Sequence, residues 1–195
     1  MEINRPAGLI HGARLMRRLL LLAATLVVTC DAANAQSSKP YAGLEQRPIK
    51  ALSLQQVDDL QTGRGMGLAL AAELNGYPGP SHVLELGDRL DLTADQRAEV
   101  QRLFDSMKQE TVPLGNKLVE QERELDNLFS ARAVTPDSLK ASLVAISETQ
   151  GLLRESHLKY HLSTAALLNR SQMQKYAELR GYQHPDGSAG HKRHH

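Results

Sequence analysis

The chain has 195 residues, with 23 lysines and arginines against 22 acids, no tryptophan, two phenylalanines and a single cysteine. A near-neutral balance lacks the basic footprint that nucleic-acid binding needs, and Cys30 alone excludes a disulfide framework or a multi-thiolate zinc site. Aliphatic side chains on helices have to supply the core.

At the N-terminus, Arg14, Arg17 and Arg18 precede an apolar run, Leu19 to Val28, and the small-residue site Ala33-Asn34-Ala35, the three-part build of a secretory signal. The run is too short to span a bilayer. Lipidation of Cys30 is the competing reading, and Thr29 is a poor residue for the position before a lipidated cysteine. Cleavage after Ala35 (signal 1–35) leaves a 160-residue chain with a net charge near −1, no cysteine and no stable membrane anchor. Such a chain makes one domain and works in the periplasm.

Residues 36–50 are polar and contain proline, and read as a flexible leader; the helical domain is expected over 51–182. Ser53 caps a short helix over Leu54, Val57 and Leu60, and Met66, Leu68, Leu70 and Leu74 form a second apolar stretch. Gly76 to Pro80 breaks the chain, and Pro80 suits the first turn of a helix carrying Val83, Leu84, Leu86 and Leu90.

Two long apolar seams follow. In the first, Val100, Leu103, Phe104, Met107, Thr111, Leu114, Leu118, Leu125 and Leu128 recur at threes and fours. The second holds Leu139, Leu143, Ile146, Leu153, His157, Tyr160 and Leu167 behind the helix start Thr135-Pro136. The connection at 131–135 is so short that the helices must form an antiparallel hairpin, and Pro113 predicts a kink near residues 109–113. A last helix over 171–180 ends at Gly181, and 183–195 reads as a disordered, histidine-containing tail.

Two helix starts share one pattern, Leu92-Thr93-Ala94-Asp95-Gln96 and Leu168-Asn169-Arg170-Ser171-Gln172. Each is a capping box: Thr93 or Asn169 accepts from the backbone three residues on, and Gln96 or Gln172 reaches back to the cap residue. With the signal, the cysteine-free mature chain and the hairpin, these boxes resemble the LTxxQ motif of the Spy/CpxP family, over roughly residues 80–182. The first box matches in full; the second has Asn169 where Thr is expected. The stretch Gly63 to Pro80 and Leu179-Arg180-Gly181-Tyr182 are similar to members described as refolding chaperones or heavy-metal sensors.

The resemblance implies an all-α protein, a long kinked antiparallel hairpin with short flanking helices, often dimeric, without ATP or enzymatic activity. Two functions follow from it. One is a chaperone that holds unfolded or misfolded envelope proteins, or modulates an envelope stress response by docking on a sensor kinase's periplasmic domain. Its client contacts are expected on the first long helix at Phe104, Met107 and Leu114, residues that fit a core equally well. That helix carries eight acids against five bases, whereas strongly active chaperones of the family present a basic concave face.

The other function is a heavy-metal sensor or buffer for zinc, copper or nickel. His157 and His161 lie four apart on one helix face, a spacing that a divalent ion bridges. Antiparallel pairing about residue 133 brings Asp105 and Glu110 near them as further ligands. The bland alternative leaves His157 hydrogen-bonded across the hairpin and His161 in solvent. The tail adds His184, His191, His194 and His195, which suit weak chelation. Gly63, Gly65 and Gly67 do not form a phosphate loop, since no strand precedes them and no Lys-Ser/Thr follows; close helix approach explains them better. No catalytic grouping is visible in the order of residues.

Overall fold

The computed structural model describes residues 39–182. The signal segment and the tail histidines His184, His191, His194 and His195 lie outside the described residues. Within the described residues there are six helices and one 3-10 turn, and no strand: α1 (Leu54–Gln61), α2 (Leu70–Glu73), α3 (Pro80–Glu85), α4 (Ala94–Ser130), α5 (Pro136–Leu167) and α6 (Arg170–Arg180), with the turn at Leu44–Gln46. The protein is all-α, built on the hairpin of α4 and α5.

Local chemistry fixes the helix starts. Ser53, Thr93, Thr135 and Asn169 each close a reciprocal capping box with Gln56, Gln96, Ser138 and Gln172, which satisfies two donors that a helix start leaves open. At the other end of α6, Gly181 takes a positive φ of 72° and the Tyr182 N–H bonds back to the Ala177 carbonyl, the glycine-dependent stop that L side chains disfavour. Helix α4 runs on through Pro113. Both Pro113 and Gln109, whose carbonyl loses its partner, are exposed, so the freed carbonyl lies on the solvent side of the helix and not in the core.

The hairpin register is set by cross-bonds: the Tyr160 hydroxyl donates to Glu110, and the Gln96 amide donates to the Leu167 carbonyl. The boxes also clasp each other. Gln96 Nε2 donates to Gln172 Oε1 at 3.0 Å, and Gln172 Nε2 donates back to Gln96 Oε1 at 2.9 Å. Each glutamine therefore caps its own helix and ties α4 to α6.

Apolar burial falls into two clusters. Toward the hairpin tip, Leu118, Val119, Ile146 and Leu153 pack with Leu60 of α1 and with Ile49. Ile49 lies in the stretch read as leader, and at 3% exposure it is part of this core, with the Lys50 N–H and ammonium bonded to Asp126. At the open end, Val83, Leu90, Val100, Leu168 and Tyr176 form the second cluster, with Leu92 packed against it. Between the clusters, the seam is polar: Thr111, Ser156, His157, His161 and Thr164 are all buried. Thr111 and Thr164 stay satisfied by donating to the carbonyls of Met107 and Tyr160, one turn back. Leu143, expected on the seam, is 47% exposed.

Candidate functional site

The polar middle of the hairpin opens into a cavity of about 450 Å³. Its walls come from the α1–α2 connection (Thr62 to Gly65), the start of α3 (Gly79 to His82), and Phe104, Met107, His157 and His161 of the hairpin. Three imidazoles thus face one space, two from α5 and one from α3.

His157 is 3% exposed, and its Nε2 is buried without a hydrogen-bond partner. An unmet buried polar nitrogen costs about 1–3 kcal/mol, which proteins rarely leave uncompensated. Burial, with the neighbouring His161 adding to it, pulls the His157 pKa from 6.5 to about 4, so the ring is neutral and carries a free lone pair over most of the physiological range.

His161 is held differently. Its Nδ1 lies 2.7 Å from the Tyr77 carbonyl oxygen, which only accepts, so Nδ1 carries a proton and donates it there. Donation from one ring nitrogen to a backbone carbonyl is the arrangement that orients a metal-ligating histidine. The start of α3 lies directly on this ring, since a methyl group on Gly79 would stand 2.7 Å from Nε2.

Glu73 ties the cavity to the C-terminal helix. It is 5% exposed, and its Oε1 accepts from the hydroxyls of Tyr176 at 2.5 Å and Tyr182 at 3.0 Å. Oε2 accepts from the Gly79 N–H at 3.3 Å. The ring nitrogens of His82 and His161 stand 3.5 and 3.7 Å from the same carboxylate, and Arg180 Nε stands 3.6 Å away. Burial alone would raise this carboxyl; hydrogen bonds from His82, Tyr176 and Tyr182 outweigh it and hold the pKa at about 2. The carboxylate pushes the Tyr176 hydroxyl the other way, well above its usual range, on top of the effect of burial.

The remaining expected site residues are placed as follows. Glu110, expected beside His157, faces α5 further along, where its carboxylate takes the Tyr160 hydroxyl and the Lys159 ammonium. Asp105 accepts from Gln101 on the exposed side of α4. Neither is brought to the imidazoles. Met107 is buried against the cavity, Phe104 is half-buried on its wall under the Lys108 ammonium, and Leu114 packs on the tip-side core. The motif leucines Leu92 and Leu168 pack in the other core, and Thr93, Gln96, Asn169 and Gln172 make the clasped boxes. Among the described residues, no group of three or more His, Cys, Asp or Glu side chains is placed to hold a metal ion.

Sequence reasoning missed Glu73 and His82. A single acid in the apolar run Leu70-Ala71-Ala72-Glu73-Leu74 was the available signal for the first. Nothing local distinguished His82, which gains its place only when α3 folds over the hairpin.

Fold and site together define a small all-helical hairpin protein with a histidine-lined cavity under its clasped end. Residues 66–175 match the family described as "Heavy-metal resistance", more than half of the chain, and the protein belongs to that family, one of the Spy/CpxP-like helical group. No curated protein and no solved structure matches the chain.

The residues suit a transition-metal ion in kind. The His157 ring is neutral with its Nε2 lacking a partner, and the His161 Nδ1 is committed to the Tyr77 carbonyl. Such an ion, when bound, would supply a charged centre linking α5 to α3; the protein's part is to offer lone pairs and to keep the rings from turning.

Proposed function

We propose that this is an exported, non-catalytic metal-handling protein of the periplasm, a sensor or buffer for zinc, copper or nickel. His157 and His161 are its fold-borne ligands, and His82 lines the same cavity from α3. The observation that carries this reading is the His157 Nε2, buried and unpartnered in a cavity shared with two other imidazoles. Family membership in heavy-metal resistance agrees with it. The test is competition titration of residues 36–195 with a chromophoric chelator. One ion per chain is expected, lost in His157→Ala and His161→Ala variants whose far-UV circular dichroism is unchanged; unaltered affinity in both variants removes the cavity from the account.

A second reading is supported by a different surface. Pro136, Leu139, Leu143 and Val144 line an open apolar groove on α5 near the hairpin tip, with Leu143 and Val144 47% and 60% exposed. Single exposed apolar residues need no explanation, but a row along one helix face suits weak holding of unfolded envelope proteins. Under this reading, the protein suppresses light scattering by a denatured client in the presence of chelator, and Leu143→Ser with Val144→Ser abolishes the effect. Scattering that is unchanged by the parent protein removes the chaperone role for that client.

A further inference from the structure

Apart from the histidine-lined cavity, α1, the α1–α2 connection and α5 enclose a groove of about 460 Å³. Its floor is the tip-side core itself: Leu60, Leu118 and Leu153 line it, each 5% exposed or less. On the α5 wall stand Ser147, Gln150, Gly151 and Arg154, whose spacing of three and four puts them on one helix face. A carbon added at Gly151 meets nothing within 4 Å, so this wall is bare helix backbone beside open space. Protein interiors leave few voids larger than a water molecule. A space that reaches buried leucines and falls within the about 300–1,000 Å³ of small-ligand pockets is therefore a binding site in form.

The lining decides what fits. Arg154 is its one charged residue, and no acid borders the groove. The ion pairs among the described residues engage Arg64, Arg97, Arg102, Arg123 and Arg180, and leave Arg154 without a carboxylate. Gln150, one turn before it, and Gln56 on α1 add neutral amide donors. The leucine floor offers no hydrogen-bond partner, so a peptide laid there would strand its backbone N–H and C=O groups, whereas an aliphatic chain has none to strand. At the rim, Met66 holds a positive φ of 43°, which side chains other than glycine seldom adopt, and is 41% exposed. This conformation places an adaptable thioether chain at the mouth.

We infer that this groove binds a single-chain fatty carboxylate, with its tail along Leu60, Leu118 and Leu153 and its head on the Arg154 guanidinium. The tail leaves water against an apolar floor, and the head takes a planar, charge-assisted pair that an alcohol or a cationic head cannot form. The site stands apart from the metal reading, since none of the groove's lining residues is a histidine.

The experiment is fluorescence titration of residues 36–195 with 11-(dansylamino)undecanoate, in chelator and below the concentration at which the probe forms micelles. Dodecanoate, dodecanol and dodecyltrimethylammonium serve as competitors. One saturable site per chain is expected, from which dodecanoate displaces the probe at least about 10-fold better than the other two. Arg154→Gln, at an exposed position that leaves the core untouched, should weaken the probe about 10-fold and erase the preference for the carboxylate. Gly151→Leu puts a side chain into the open space and should abolish saturable binding, with a urea midpoint at or above that of the parent. Equal displacement by the cationic competitor, or parent affinity in both variants, overturns the inference. So does binding only to phosphatidylglycerol vesicles, which would make this face a bilayer contact. A parent dimer in sedimentation that Gly151→Leu dissociates, without probe binding, also overturns it and assigns the groove to a second copy of the chain.

Discussion

Gly115 and Gly151 occupy the interiors of the two long helices, yet the same substitution should move stability in opposite directions. A methyl group on Gly115 would stand 2.0 Å from the Leu60 carbonyl oxygen and 2.7 Å from its carbon, where ordinary contact begins near about 3.5 Å. The obstacle is backbone, so no rotamer change relieves it; α1 must lift by more than about 1 Å. Replacing a mid-helix glycine by alanine contributes about 1 kcal/mol of helix stability. Against that stand about 1–3 kcal/mol of overpacking and part of the about 1.5–3 kcal/mol from burying Leu60, which is 2% exposed. The steric effect wins, and Gly115→Ala should cost about 2 kcal/mol. At Gly151 nothing lies within 4 Å of the added carbon, so Gly151→Ala should stabilise by about 0.5–1 kcal/mol. Urea unfolding of residues 36–195 followed by circular dichroism at 222 nm separates the two, with midpoints on either side of the parent. A Gly115→Ala protein as stable as the parent would mean that α1 does not lie against α4 at this point, and the packing described here would be wrong.

Three further outcomes follow from the polar groups. In the clasped boxes, Gln96→Ala and Gln172→Ala should each cost about 1 kcal/mol as lost caps, and a double-mutant cycle should give a coupling of about 1 kcal/mol; additivity within about 0.3 kcal/mol would show that the amide pair contributes nothing. Glu73 titrates at about 2 in the fold against 4.5 in the free chain, so its contribution is fully present above pH 4.5 and is lost as pH falls from 4.5 toward 2. Glu73→Gln should flatten that limb of the stability curve and lower neutral stability by up to about 3 kcal/mol, and an unchanged acid transition would refute the assigned role. His157 has the opposite habit, a base held neutral: stability is full above pH 6.5 and declines as pH drops toward 4, because only the unfolded chain takes up the proton. His157→Leu should remove this upper decline and stabilise the metal-free protein at neutral pH by about 1 kcal/mol, since an unmet nitrogen leaves the core. A loss of more than 1 kcal/mol at neutral pH, by urea titration with chelator present, would indicate that the ring is satisfied as it stands.

Much of the architecture is legible without coordinates because it depends on local rules. Thr93 with Gln96 and Asn169 with Gln172 announce helix starts through hydrogen bonds that span three residues. Thr135-Pro136 and Gly181 punctuate the chain in the same way. Three- and four-residue apolar spacing gave the seams, and the five-residue connection forced the hairpin. Counting residues from the turn placed Glu110 opposite His157, and in the fold it meets Lys159 and Tyr160, two and three positions further along α5.

The direction in which side chains turn within that register is a different matter. Glu110 reaches α5 at Tyr160 and Lys159 and not at His157, and the hydroxyl and ammonium found there take its carboxylate while the neutral His157 imidazole stays buried. His161 is buried because α3 lies across it at Gly79, a contact between residues 82 positions apart that no helical period encodes. Ile49 joins the core for a similar reason: α1 and the segment before it fold onto the hairpin tip. Sequence by itself determined where helices begin, end and pair, because capping, periodicity and short-loop geometry act over a few residues. Only the tertiary structure decided which polar groups share a buried space, and so brought Glu73, His82, His161 and Tyr182 together, because burial and hydrogen-bond partnership are set by elements that meet only after the chain has folded.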